Sequence, residues 1–140
     1  MPIQNLARAD VVSAPPETPV TELARRMRDE HVGSVVITDD RAPAGIVTDR
    51  DLATRVLADG SESTERTAGD VMSTDLCAVG PDAGFYEAAE VMSENGVRRL
   101  PICDENDELV GIITADDLTE LLSDESQQLA SVIRAQRPEY

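Results

Sequence analysis

Residues 45–52 of this chain read Gly-Ile-Val-Thr-Asp-Arg-Asp-Leu, and residues 111–118, lying 66 positions further on, read Gly-Ile-Ile-Thr-Ala-Asp-Asp-Leu. A recurring octet at that separation implies that the chain is built from two copies of one small supersecondary unit. Each copy reads as the end of a strand, a Thr at the turn and the first turn of a helix. Thr48 with Asp51, and Thr114 with Asp117, carry the spacing of a capping box. In such a box the hydroxyl oxygen accepts from the N3 backbone N–H, and the N3 carboxylate accepts from the N–H of the cap residue. The same place can hold a ligand. A carboxylate there can accept from two ribose hydroxyls, and a helix N-terminus beside a hydroxyl favours a phosphate or a purine edge. A single octet reads as a helix cap; its duplication gives the ligand site more weight.

The flanking sequence repeats in the same order. Val20, Leu23, Ala24 and Met27 stand at i, i+3, i+4 and i+7, one apolar helix face behind a Thr18 N-cap and Pro19. Phe85, Ala88, Ala89 and Met92 repeat that face in a helix expected to open at Gly80-Pro81-Asp82. Residues 32–37 and 97–102 read as central strands, Asp39 to Pro43 and Asp104 to Glu108 as turns, and residues 50–57 and 116–122 as second helices. Val71-Met72-Ser73 is matched to the short strand Val11-Val12-Ser13. The expected fold class is α/β: two β-α-β-β-α units packed sheet to sheet about a pseudo-two-fold axis with one shared core, since one such unit is too small to bury its own sheet. The expected boundaries are 5–60 and 66–123, with a linker over 58–66 and a separate amphipathic helix over 125–138 that packs on the module or across a dimer interface.

Composition narrows the partners. The chain carries 28 acidic and 12 basic residues for a net charge of −16, and every basic residue is Arg. A surface this acidic repels nucleic-acid backbones and anionic membranes. It resembles the cytoplasmic proteins of salt-accumulating halophiles, the alternative being an acidic protein of a high-GC organism at ordinary salinity. No apolar run approaches the roughly 20 residues that span a bilayer, and the N-terminus lacks a basic segment followed by an apolar one. The expected location is therefore cytoplasmic. Cys77, Cys103 and His31 lack the spacing of a metal site or disulfide framework. No Ser-His-Asp or Cys-His grouping and no phosphate-binding Gly-rich loop suggests an enzyme.

The paired octets, the Asp70-Val71-Met72-Ser73 opening and residues 97–102, Val-Arg-Arg-Leu-Pro-Ile, together resemble tandem cystathionine-β-synthase (CBS) domains over about residues 5–123. The resemblance implies a non-catalytic regulatory module. Its two clefts would hold an adenosine-containing ligand, AMP, ADP, ATP or S-adenosylmethionine, with Mg²⁺ able to assist, and it would signal to a regulated partner protein. It implies that one cleft uses Ile112, Thr114 and Asp117 against Val12, Val32, Gly33 and Ser34. The other would use Ile46, Thr48 and Asp51 against Met72, Val97, Arg98 and Arg99. Arg98 and Arg99 could meet phosphate or simply pair with nearby carboxylates. The resemblance further implies a homodimer of four motifs, with Leu23 and Met27 or Ala89 and Met92 at the interface. The remaining alternative is an interaction domain without a ligand.

Overall fold

The apolar spacing of residues 20–27 is realised in α1 (Val20–Glu30), which buries Val20, Leu23 and Met27. The computed structural model describes residues 2–60 and 65–137. Around α1 the first repeat is built from β1 (Ser13–Ala14), β2 (Ser34–Asp39), β3 (Ala42–Thr48) and α2 (Asp49–Asp51). The chain leaves α2 through a wide π turn, Leu52–Val56, and a 3-10 turn, Leu57–Asp59, in place of the regular helix expected over 50–57. The second repeat comprises α3 (Ala68–Val71), α4 (Phe85–Asn95), β4 (Arg99–Cys103), β5 (Leu109–Thr114) and α5 (Ala115–Ala135). Of the expected linker, residues 61–64 lie outside the described residues.

Several helix ends differ from expectation. Pro19, not Thr18, occupies the cap position of α1. Thr18 is buried, and its carbonyl accepts from the Ala68 N–H at 2.8 Å. Residues 80–83 form a turn closed by Ala83 N–H to Gly80 O at 3.1 Å, so α4 starts only at Phe85, behind Gly84. α1 stops at His31, which takes the left-handed conformation (φ 55°) and donates its N–H to Met27 O. Gly96 does the same for α4, with φ 64° and its N–H on Met92 O.

The sheets follow from the two hairpins. β2 and β3 pair antiparallel with Val36 opposite Ile46 and Asp39 opposite Ala42, so Asp40 and Arg41 form a two-residue loop. Both have positive φ (52° and 71°), the type I′ geometry that suits strand twist. β4 and β5 pair likewise, with Pro101 opposite Ile112. β1 adds to β2 in parallel, and Val79 makes the equivalent parallel bridge to Ile102.

The lead-in of each repeat crosses to the other one. Arg8 and Ile112 exchange backbone hydrogen bonds of 3.0 and 3.1 Å, and Ser73 and Ile46 exchange bonds of 3.0 and 2.9 Å. Ile3 enters the second repeat's core with Leu100, Ile102 and Ile113, while Ala68 and Val71 enter the first repeat's core with Val35, Ile37 and Val47. The expected single shared core is thus two clusters. The strand faces pointing away from them meet at the pseudo-two-fold axis, where Val36 and Pro101 are buried outside both clusters. Residues 70–73 are correspondingly no counterpart of β1. They are the last turn of α3 and a single bridging residue, because Thr67 and Asp70 cap a helix there.

The C-terminal helix is present, but it does not begin near residue 125; α5 runs unbroken from Ala115 to Ala135. No Gly or Pro interrupts residues 115–135, so the helix that starts at the second octet has no reason to stop. Its outer turns do not pack on the module: Leu129, Val132 and Ile133 are 65%, 56% and 63% exposed. Residues 138–140, the end of the expected tail, lie outside the described residues. Cys103 ends β4 half-buried, and burial, reinforced by Asp107 and Asp104, pushes its thiol up from the ordinary value. The thiolate is the reactive form, so Cys103 should be alkylated at pH 7 more slowly than a free cysteine. Peptide mapping after iodoacetamide labelling would read this, and labelling as fast as free cysteine would contradict it.

Candidate functional site

Both octets form the capping box that their spacing predicts. Thr48 N–H donates to Asp51 Oδ2 at 2.9 Å, and Asp51 N–H to Thr48 Oγ1 at 3.1 Å. Thr114 N–H donates to Asp117 Oδ2 at 2.9 Å, and Asp117 N–H to Thr114 Oγ1 at 3.2 Å. The cap therefore occupies one oxygen of each carboxylate and leaves the other. Asp51 Oδ1 faces Arg55 Nε at 3.8 Å, whereas Asp117 Oδ1 accepts no hydrogen bond among the described residues.

A third box serves as an internal comparison. Thr67 donates to Asp70 Oδ2 from both its N–H (2.9 Å) and its hydroxyl (3.1 Å), and these bonds hold the Asp70 carboxyl below the usual range. Thr67 and Asp70 line none of the cavities described below. The Thr-x-x-Asp spacing alone makes a cap; it makes a candidate site only where the fold opens a cleft beside it.

Two such clefts exist, each of about 300 Å³. In cleft A the structure brings together Ile112, Thr114 and Asp117 with Val12, Val32, Gly33 and Ser34, all seven residues that the resemblance to CBS domains groups there. In cleft B it brings together Ile46, Thr48, Val97, Arg98 and Arg99. Two residues expected in cleft B are not on its wall. Asp51 turns back to its cap and to Arg55. Met72 lies against Gly45, where its Sδ stands 2.5 Å from the position a Cβ would take, and packs on the first core. Its neighbour Ser73 lines the cleft instead.

Other lining residues escaped the sequence. Arg8, Asp10 and Val11 line cleft A from the crossing lead-in, and Ser73, Asp75 and Leu76 line cleft B from the equivalent segment. His31, which has no partner at ligand spacing in the sequence, caps α1 and also lines cleft A. Arg99, expected in cleft B alone, lines both clefts. Its Nη2 stands 3.2 Å, and Asp49 Oδ2 3.4 Å, from the position a Cβ on Gly33 would occupy. Gly33 thus leaves the room in which a guanidinium from the other repeat reaches cleft A. At the outer lips, Arg98 Nη2 pairs with Asp116 Oδ1 at 3.3 Å; both side chains are well exposed, and such pairs add little stability.

Two β-α-β-β-α repeats with exchanged lead-ins and a cleft at each strand-to-helix turn define a tandem two-repeat module. The model of the CBS domain matches residues 3–58 and again residues 68–124, and the chain belongs to the CBS domain family. It is 38% identical over 120 residues to an uncharacterized protein of Methanopyrus kandleri, covering 85% of this chain and 61% of that protein, so it spans less than two thirds of that relative's length. It is 32% identical to the CBS domain-containing protein YhcV of Bacillus subtilis, covering 83% of this chain and 81% of that one. Among solved structures, hypoxic response protein I with two coordinated zinc ions superposes with a TM-score of 0.74 at 31% identity, over 86% of this chain and 98% of that one. The CBS domain pair of protein MJ0100, in complex with 5-methylthioadenosine and S-adenosyl-L-methionine, superposes with a TM-score of 0.80 at 19% identity over 89% and 98%, and so shares the fold. Among the described residues, no three His, Cys, Asp or Glu side chains are grouped to hold a metal ion. No described helix is long and apolar enough to cross a membrane.

Proposed function

We propose that the chain is a non-catalytic regulatory module that binds an adenosine-containing ligand in the clefts between its repeats and signals to a partner protein. The observation that supports this most is cleft A. A capping carboxylate with one uncommitted oxygen, a hydroxyl at a helix N-terminus and the apolar walls of Val12, Val32 and Ile112 stand around one cavity. Asp117 would accept from the ribose hydroxyls, Thr114 would lie beside the ribose and its phosphate, and the apolar walls would sandwich the base. In a cytoplasm rich in salt the charge contacts weaken, and base burial would carry more of the affinity. Mg²⁺ is an accessory here only if a polyphosphate is the ligand.

The test is Asp117→Asn. It keeps an acceptor oxygen for the Thr114 N–H and loses the charge. Stability should fall by less than the ~0.5–2 kcal/mol that a lost cap costs, while affinity for S-adenosylmethionine in cleft A, read by calorimetry, falls at least tenfold. Wild-type affinity in the variant would leave Asp117 as a cap alone, and no heat from any adenosine ligand with either protein would favour the interaction-domain alternative.

A homodimer of four motifs is part of the same proposal, through a surface that keeps only one of the two expected pairs. Leu23 and Met27 are buried in the first core, whereas Ala89 and Met92 line an open groove of the second repeat. The first repeat instead offers an open apolar groove of about 540 Å³, with Ala24, Leu52, Ala53 and the 78% exposed Leu57 on its walls. The second offers one of about 410 Å³ between α4 and α5, walled by Phe85, Ala89 and Leu122. Pairing these grooves would place two modules face to face, and a ligand preferring one arrangement would shift their populations.

A further inference from the structure

We infer that the two clefts are sorted by charge: cleft B takes a phosphorylated adenosine, and cleft A takes a cationic one such as a sulfonium nucleoside. This rests on the ligand-binding reading above and adds which ligand class each cleft selects. Strand register and the two Thr-Asp boxes define which positions are equivalent. Ser34 stands opposite Thr48 as Arg99 stands opposite Thr114. The helix position two after the cap Thr is Arg50 in cleft B and Asp116 in cleft A. The central-strand entry is Arg98-Arg99 in cleft B and Gly33-Ser34 in cleft A. One helical turn further on, Glu120 lines cleft A where its counterpart in the first repeat is Thr54.

Arg98 and Asp116 pair with each other across the lips, so cleft B keeps Arg50 and Arg99 against Asp49 and Asp75. Cleft A keeps Asp10, Asp117 and Glu120 against Arg8 and the shared Arg99. Arg99 cannot neutralise phosphates in both clefts at once, and cleft A without it has one arginine and three carboxylates besides the paired Asp116. A guanidinium holds phosphate oxygens in a bidentate, charge-assisted fork. Carboxylates facing a phosphate repel it, and such repulsion is how a site rejects the wrong ligand. A sulfonium meets the opposite preference in cleft A. The asymmetry is specific to these lips, since the base-facing walls are alike: Ile112 and Val32 in cleft A, Ile46 and Val97 in cleft B.

The experiment is calorimetry on the full chain with AMP, S-adenosylmethionine and adenosine, each with wild type, Arg50→Asp and Glu120→Gln. In parallel, Cys77, which lines cleft B alone, reports occupancy of that cleft through protection from iodoacetamide. AMP should protect Cys77 and weaken about tenfold or more in Arg50→Asp while Glu120→Gln leaves it unchanged. S-adenosylmethionine should leave Cys77 open and weaken in Glu120→Gln only. Adenosine, with no charge to sort, should bind all three proteins alike. Protection of Cys77 by S-adenosylmethionine, or AMP binding indifferent to Arg50→Asp, would overturn the sorting while adenosine binding kept the ligand-sensor reading intact. No heat from any of the three ligands would overturn both.

Discussion

Gly45→Ala is expected to destabilise the protein by about 1–3 kcal/mol, the range for forcing an extra methyl into a packed site, while Gly111→Ala costs less than about 1 kcal/mol. The two glycines begin the two octets and are equivalent in sequence, so the difference comes from what the crossing lead-ins bring against them. A Cβ on Gly45 would stand 2.5 Å from Met72 Sδ, 2.8 Å from Met72 Cγ and 2.9 Å from the Ser73 carbonyl oxygen. Met72 could swing aside, but Ser73 could not. That carbonyl accepts from Ile46 N–H at 3.0 Å, and Ser73 N–H returns a bond of 2.9 Å to Ile46 O. Moving it would break the pair of bonds that ties residue 73 to β3. A Cβ on Gly111 would lie 3.2 Å from Arg8 O, then 3.6 Å from Ile102 Cδ1 and 3.7 Å from Ala7 Cβ, which a shift of a few tenths of an ångström relieves. For a chain of this size the Gly45→Ala cost corresponds to roughly 3–9 °C in melting temperature. Ile46 and Ser73 also line cleft B, so the same substitution should weaken a cleft B ligand and leave cleft A. Equal melting temperatures for the two variants would show that Met72 and Ser73 do not hold β3 as described.

What could be read in advance was whatever recurs with a fixed period. The octets, the helix faces of α1 and α4 and the central strands are each set by local pattern, and the grouping of residues in cleft A followed from the resemblance to CBS domains that those patterns carry. The crossing of the lead-ins was not legible, because it depends on contacts between Ile3 and Ala83 or Ser73 and Ile46, which no local pattern encodes. One signal was nevertheless available. Met27 with Met92 and Val32 with Val97 share an offset of 65 residues. Carried toward the N-terminus, that offset sets Val12 against Cys77 and Arg8 against Ser73, and these are the equivalent cleft residues in the structure. Matching residues 71–73 to 11–13 broke the offset and put Met72 in a cleft it does not line. The Thr67-x-x-Asp70 spacing, identical to that of the octets, marked a helix at the place read as a strand. Arg99 serving both clefts was out of reach for another reason. It depends on an inter-repeat distance and on the missing side chain at Gly33.

The second large effect concerns the least conspicuous part of the chain. Ile3 stands ahead of every repeated motif, yet it has no exposed surface and packs in the second core beside Leu100, Ile102 and Leu118. Its N–H donates to Ala83 O at 2.9 Å, and the turn that follows it directs the chain to Arg8, which bridges to Ile112. Ile3→Ala removes the same atoms that a buried Ile loses anywhere, and the range for such a truncation is about 2–5 kcal/mol. Ile133→Ala removes them from a side chain that is 63% exposed and should change stability by no more than about 0.5 kcal/mol. The comparison separates burial from residue type. A consequence for binding follows. Freeing the lead-in loosens Arg8, Asp10 and Val12, all on the wall of cleft A, and none of the lead-in's own residues lies on the wall of cleft B. Denaturant titration should therefore show Ile3→Ala well below wild type, and calorimetry should show its cleft A ligand weakened more than its cleft B ligand. If Ile3→Ala melted with Ile133→Ala, the N-terminal segment would not be part of the second core, and the exchange of lead-ins would hold on one side of the axis only.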